Sequence, residues 1–599
     1  MKRGFGRIGF LAAAIVSALN LLSCEAYLDK APESEISEKD VFGNFTSFQG
    51  FIEEMYNCIA DPHKALAGNI YASMYLDDAT LSNTPLIWDD GNYWDQQWRF
   101  LTGTVNTGLS TMGKRIWPLS WYGIRKANIA LSKLELMSGA TQEERNLIEG
   151  QAFFFRGFFH FELMKFWGGL PYVDTVLVAS KQIKIPKLTY RETALKAAED
   201  FRKAVDLLPL NWDDTQTGKM TLGNNAIRAG KIEALGFLGK DLLYAASPMM
   251  NEYSTGSASY DTELCKQAAV ALAEAIRLCD EHGTYSLEPW ETRTDNFWVR
   301  SPGNRERPGG TEVIRDQTIY NDSFTRWTTV RASSPVQFGA GNNRVEVPTH
   351  NYVQNYGMAN GLPLDDPASG YDPSDPWKNR DPRFYVDIVV DNDEMAYSDA
   401  AGPDKVAQLY TNGRHRGGTN GSVTGYFLKK YTPKGCNPWD GWWSNFQAYH
   451  PILRLADIYL MYAEAVLQGY GSPDSSAPGS NLTAVQAVNI VRNRSNVPAV
   501  DAKYTADVDR FMQEIMRERA VELAYEGHRW FDLRRWNLLQ EMKYREKTAI
   551  DFDRGPDNKP INMRERVVVT RVVEKKNNWV PFPITDISLY AEFPQNPGW

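Results

Sequence analysis

Tryptophans set among carboxylates, amides and arginines are the side chains in this sequence best suited to hold a sugar. A sugar ring has an apolar C–H face and a rim of hydroxyls. An aromatic ring covers the face, while amide, carboxylate or guanidinium groups bond the rim. Trp88, Tyr93, Trp94 and Trp98 are interleaved with Asp89, Asp90, Asn92, Asp95 and Arg99. Trp298 and Trp327 flank a polar stretch, and Trp439, Trp442 and Trp443 sit among Asn437, Asp440 and Asn445. The expected ligand contacts are therefore Trp88, Asp90, Asn92, Trp94, Trp98, Arg99, Trp298, Trp327, Trp439 and Trp442. The plainer alternative for each cluster is a loop folded back on the core.

A second set of charges could do acid–base chemistry. On a helical wheel, Met512, Ile515, Met516, Arg519, Leu523 and Glu526 share one face. Arg454, Asp457, Met461 and Glu464 form a similar stripe. Charges inside apolar stripes rarely bury without partners. Arg454, Asp457, Glu464, Arg519, Glu522 and Glu526 are thus expected to form a structural network of ion pairs. The competing idea is catalysis at Glu464, Glu522 or Glu526, as in a glycoside hydrolase, which needs two carboxyls flanking the scissile bond. No local catalytic motif supports it.

Other chemistries find little footing. Five cysteines are too few for a disulfide scaffold, and Cys265 and Cys279 are 14 residues apart on one predicted helix, about 21 Å. There is no CxxC and no HExxH. His160-Phe161-Glu162 has an HxE spacing but lies in a Phe-rich helix. Neither a metal nor a cofactor is expected. A net charge of −9 argues against nucleic-acid binding.

Residues 1–23 resemble a lipoprotein signal peptide. Lys2, Arg3 and Arg7 precede an apolar run from Ile8 to Leu22, too short for a comfortable membrane span. It ends in Leu21-Leu22-Ser23-Cys24, like a bacterial lipobox whose cysteine is acylated. Lipidation at Cys24 would tether an otherwise soluble chain.

The elements that must position these residues are mostly helical. Helices are predicted over 113–137, 141–167, 190–208, 224–246 and 261–281, with Thr141-Gln142-Glu143-Glu144 as a capping box and Gly168-Gly169 as a stop. Residues 285–450 are rich in Gly, Pro, Asn and Asp and keep no 3.6 period, which in a compact protein usually marks function. Helices return at 451–468, 483–495, 507–525 and 530–542, and a strand pattern runs over 566–573. The expected fold is mainly α: a tetratricopeptide-like helical scaffold with a long, irregular insertion bearing the binding surface. It divides into 24–284, an N-terminal helical region, 285–450, a loop-rich binding region, and 451–599, a C-terminal helical region.

Separated blocks resemble the SusD/RagB family of Bacteroidetes nutrient-uptake lipoproteins. They are Gln151-Ala152-Phe153-Phe154-Phe155-Arg156-Gly157 through Trp167-Gly168-Gly169-Leu170-Pro171, then Asn379-Arg380-Asp381-Pro382-Arg383-Phe384, then Arg454-Leu455-Ala456-Asp457 through Glu464. Arg517-Glu518-Arg519 through Glu526-Gly527-His528-Arg529-Trp530-Phe531-Asp532 and Pro581-Phe582-Pro583-Ile584 complete them. Gln151 and Gly169 stand where the family usually has acids, and Ala520 where it often has Arg. The resemblance implies an outer-membrane, exterior-facing protein that is not an enzyme. It would capture a glycan and deliver it to a SusC-like TonB-dependent transporter. A surface adhesin or peptide-binding protein is the further alternative. Cys24→Ala is expected to abolish labelling by fatty acid and release the protein from membranes; persistent labelling would refute the anchor.

Overall fold

The computed structural model describes residues 37–59, 79–81, 89–96, 116–178, 184–300, 310–316, 346–417, 421–431 and 446–599. The helices that build the frame are α1 (Phe45–Asn57), α2 (Ile116–Lys133), α3 (Gln142–Trp167), α4 (Tyr190–Leu207), α5 (Lys231–Ala246) and α6 (Thr262–His282). They are followed, after the irregular region, by α7 (Leu455–Tyr470), α8 (Ala484–Arg494), α9 (Val508–Glu522) and α10 (Arg529–Arg535). The fold is mainly α, and its helices stack in a tetratricopeptide-like series. From α2 to α6 each helix packs on the next. The series then skips the irregular region: α6 packs on α7, and α7 on α8. The insertion is spliced into one continuous helical array.

Local sequence explains the helix ends. The Thr141 side chain accepts from the Glu144 N–H while Glu144 accepts from the Thr141 N–H, a reciprocal cap for α3. Thr189 with Glu192 and Thr483 with Gln486 do the same for α4 and α8. Four helices differ from expectation. α7 begins at Leu455 rather than 451, because residues 451–454 are extended and pair as a strand with residues 313–316. α5 begins at Lys231 rather than 224, because residues 218–221 are used in a 3-10 turn and Asn225 spends its amide on Gly218 and Thr221 carbonyls. α9 stops at Glu522, since Tyr525 takes φ 60° and Gly527 φ 80°, which an α-helix does not admit. α10 stops at Arg535, just before Asn537 at φ 64°.

The helical core is aromatic along α3. Phe158 meets Phe237 of α5 edge-on at 5.1 Å, and Phe237 stacks on Phe201 of α4 at 6.2 Å. Arg156 crosses from α3 to α4 in a two-pronged pair with Asp200, at 2.6 and 2.7 Å. His160 spends both ring nitrogens on the backbone, Nδ1 donating to the Arg156 carbonyl and Nε2 accepting from the Val173 N–H. Burial holds its pKa down at about 3, so it is neutral.

The described strands form five two-stranded antiparallel sheets. β1 (Ala79–Leu81) pairs with β4 (Glu346–Pro348), β2 (Trp298–Arg300) with β7 (Phe446–Ala448), and β3 (Val313–Asp316) with β8 (Pro451–Arg454). β5 (Ile388–Val389) pairs with β6 (Phe427–Leu428), and β9 (Glu546–Arg554) with β10 (Pro560–Thr570). β9 escaped the sequence reading because its side chains are buried almost without alternation. A second apolar core gathers Phe297, Tyr352, Tyr356, Phe384, Phe427 and Tyr431, with Val521, Tyr525, Ile550 and Phe552 from the C-terminal region.

Helix contacts are tight where glycine faces a bulky neighbour. A methyl group on Gly239 of α5 would collide with Leu272 of α6, whereas one on Gly50 of α1 would meet nothing within 4 Å. Gly239→Val is expected to destabilise the fold by about 1–3 kcal/mol through overpacking. Gly50→Ala should be neutral or stabilising by up to about 1 kcal/mol. Denaturant unfolding of both variants measures the contrast.

Candidate functional site

Arg454 ends β8 and starts α7, so its side chain enters the space between the two cores. Nε donates to Glu526 Oε2 at 2.7 Å. Nη1 donates to Glu312 Oε1 at 2.5 Å and to Glu522 Oε1 at 2.8 Å. Nη2 donates to the Glu522 carbonyl at 2.7 Å and to Glu526 Oε1 at 2.9 Å. Around this centre Arg494 pairs with Glu312 and Glu522, Arg383 with Glu518 and Glu522, and Lys430 with Glu526. A second chain of pairs runs beside it. Asp457 lies between Lys240 and Arg519, at 2.9 and 2.8 Å. Arg519 reaches Asp532 at 2.9 Å, and Arg535 joins Asp532 to Glu464. Tyr260 and Trp536 also donate to Glu464.

All six charged residues singled out from the sequence are buried. Sequence reasoning missed Glu312, Arg383, Lys430, Arg494 and Glu518. Burial alone would raise Glu526, but Arg454 and Lys430 hold its carboxyl at about 2. Against the same burial, Arg494 and Arg454 press Glu522 well below the usual carboxylate range. A carboxylate saturated by cations and closed to solvent neither gives nor receives a proton near neutral pH.

Of the tryptophans singled out from the sequence, Trp94 reaches the surface among the described residues. Asp89 is buried, held by Lys547 and Arg571 at 2.9 and 3.0 Å. Its carbonyl accepts from the Val572 N–H, and the Gly91 carbonyl accepts from Asn577. Gly91 passes so close to Val572, at φ 71°, that a Cβ would meet the Val572 carbonyl at 2.8 Å. This clamp sets the turn that follows, where Asp90 accepts from the Asn92 N–H at 2.8 Å and both side chains face solvent. Trp94 then stands 39% exposed, edge-on to Trp599 at 6.1 Å, while buried Tyr93 stacks on the same indole at 5.9 Å. Trp599 is fixed by its own N–H to the Lys576 and Trp579 carbonyls, with the Lys576 ammonium 5.2 Å from its ring.

Asp90, Asn92 and Trp94 are therefore brought together on one clamped turn. Trp298 is elsewhere, half-buried against the second core. Trp88, Trp98, Arg99, Trp327, Trp439, Trp442 and Cys24 lie outside the described residues. Their segments join the frame at defined points. β1 and β4 set Leu81 beside Glu346, where the stretches containing Trp88 and Trp327 meet the described chain. β2 and β7 set Arg300 beside Phe446, next to the stretch containing Trp439 and Trp442. Among the described residues no cluster of His, Cys, Asp and Glu is arranged to hold a metal ion.

The family model described as the SusD family matches residues 312–599, which hold Arg454 and its partners Glu312, Glu522 and Glu526. A second, described as starch-binding associating with outer membrane, matches residues 26–225. The chain belongs to the SusD/RagB family. SusD-like protein P38 of Formosa agariphila is 22% identical over 552 residues, 90% of this chain and 93% of that one. Among solved structures, a SusD-like protein from Bacteroides fragilis superposes with a TM-score of 0.68 at 21% identity, covering 95% of this chain and all of its own. Surface glycan-binding protein A from Bacteroides thetaiotaomicron, solved with laminarihexaose, gives a TM-score of 0.55 at 17% identity over 92% of this chain and 99% of that one. At these identities the structural likenesses speak for the SusD fold alone. The part of that fold seen most clearly in this chain's sequence is the buried network, not the exposed turn.

Glu526→Gln should cost about 3–5 kcal/mol at neutral pH, because it leaves Arg454 and Lys430 short of a counter-charge. Glu526 has a folded pKa near 2, below its ordinary 4.5. Its contribution is therefore full above about 4.5 and is lost as pH falls toward 2. Chemical unfolding across that window should show a shallower acid loss for the variant than for the parent.

Proposed function

We propose that this protein is a cell-surface lipoprotein, anchored in the outer membrane through Cys24, that captures a glycan and passes it to a SusC-like TonB-dependent transporter without altering it. The observation that carries the reading is a division of labour. The conspicuous carboxylates are locked in guanidinium pairs, while an exposed indole with polar neighbours is held out on a clamped turn. The half-exposed Trp94 ring offers a C–H face a surface, and Asp90 and Asn92 beside it suit hydroxyls. A rigid support reduces the ordering cost of binding. The laminarihexaose complex of a protein with the same fold is consistent with a β-glucan or another oligosaccharide as ligand. The lipobox, together with a family model whose description places its members at the outer membrane, supports the location. Among the described residues no helix is long and apolar enough to cross a membrane.

Calorimetry against a panel of oligosaccharides, with reducing ends assayed in the same samples, tests this. Binding heat without new reducing ends is the expected result. New reducing ends lost on mutating a single Asp or Glu would favour a glycoside hydrolase instead. Trp94→Ala should weaken binding of the responding glycan at least tenfold. Because the ring is part-exposed, the same change should lower unfolding stability by no more than about 1–2 kcal/mol.

A further inference from the structure

The hairpin β9–β10 has two unlike edges. β9 is stitched into the body of the protein along its free side. The Ile550 N–H donates to the Thr424 carbonyl, the Ile550 carbonyl accepts from Arg416, the Phe552 carbonyl accepts from the Thr411 N–H, and the Thr548 N–H donates to Asn351. Residues 548, 550 and 552 thus turn their backbone groups away from β10. Directly opposed residues of an antiparallel pair either both face each other or both face away. Glu565 opposes Ile550 and Val567 opposes Thr548. The N–H and C=O groups of Glu565 and Val567 therefore point out from the far edge of β10. Among the described residues β10 pairs with no strand except β9, and both residues are exposed, Val567 by 48%.

This edge is built to be a strand. Val567, Val568, Val569 and Thr570 are β-branched and prefer the extended backbone. An exposed edge of this length is a template for another strand unless something guards it. Charge guards it against a second copy of itself. Two copies can bond in antiparallel fashion only with outward residues opposite outward residues. Glu565 opposite Glu565 is one such register, and Glu565 opposite Val567 puts Arg566 opposite Arg566. A register centred on Val567 runs into the bulge between Val567 and Val569. Like charges directly opposed are destabilising. The same charges favour a partner of complementary pattern. Arg564 is exposed, and Arg566, though paired with Asp551 at 2.7 Å, keeps much of its guanidinium in solvent.

We propose that the outer edge of β10 receives an extended strand from a different protein, whose residues opposite Arg564, Glu565 and Arg566 run acid, base, acid. The backbone groups of Glu565 and Val567 supply the affinity, and the alternating charges supply register and partner choice. The proposal does not depend on the glycan reading, because the hairpin contributes nothing to the Trp94 turn's ligand-facing side chains.

A fluorescein-labelled nine-residue peptide of threonine and valine around a glutamate–lysine–glutamate centre tests it, with a scrambled peptide of the same composition as control. The full-length protein should bind the first peptide saturably by anisotropy. Hydrogen exchange at the Glu565 and Val567 amides should slow at least tenfold. Val567→Pro removes an outward N–H and no bond to β9, so it should lower affinity at least tenfold. Should that variant unfold early, Arg564→Glu with Arg566→Glu provides the second check. It should lose the first peptide and gain one with a lysine–glutamate–lysine centre. Equal binding of the scrambled peptide, no binding at millimolar concentration, or unchanged exchange at both amides would overturn the proposal. So would a concentration-dependent dimer abolished by Val567→Pro, which would give the edge to a second copy.

Discussion

The guanidinium of Arg454 is the point on which the architecture turns. It lies between two apolar cores and binds Glu312, Glu522 and Glu526, which reach it from the start of β3, the end of α9 and the turn beyond. A buried ion pair adds little stability over a well-packed apolar pair, but a broken one is costly. Its value is therefore geometric. Any slip of α9 along its axis, or of β3 against β8, would strand a charge in the interior. The helical array supplies bulk stability through Phe-rich packing, and the charges select the one arrangement of the irregular region against it.

That arrangement also decides where the exposed turns emerge. β3 and β8, whose ends carry the network, also fix the point where Asp316 leaves the described frame. The clamp at Asp89 works on the same principle at smaller scale. One buried carboxylate between Lys547 and Arg571 ties the Trp94 turn to the strand β9 and the segment after β10. The exposed Trp94 is thus placed by a buried charge five residues before it in the chain.

The helices were legible because their signals are local. The capping box at Thr141 and the long Phe-rich apolar run of α3 are written within a single stretch of chain. The charges in apolar stripes at Arg454, Asp457, Glu464, Arg519 and Glu526 were visible for the same reason. Their partners were not. Glu312 and Lys430 sit on irregular segments without periodicity, and Arg383 stood out only as part of a family block. The sequence pattern showed that charges must be matched but not by which residues. The tryptophan turn was legible in composition only: nothing local says that Asp89 is a buried anchor while Asp90 beside it is exposed. Trp94 shows its half-exposed ring only once Trp599, hundreds of residues away, is in place.

The distances spanned by the network have a consequence for how the chain comes together. Arg454 meets Glu312 across 142 residues, and Arg383 meets Glu522 across 139. Contacts of such separation form late, after the entropy of closing long loops has been met. Helices α2 to α6 contact their sequence neighbours and can stack as soon as they are made. Arg383 and Arg454 instead complete their pairings only when α9 brings Glu522. A chain interrupted before that residue keeps Glu312 beside Arg454 and Arg494 but lacks the carboxylates of Glu522 and Glu526 that complete the network. The network at Arg454 can therefore close fully only when nearly the whole polypeptide is present.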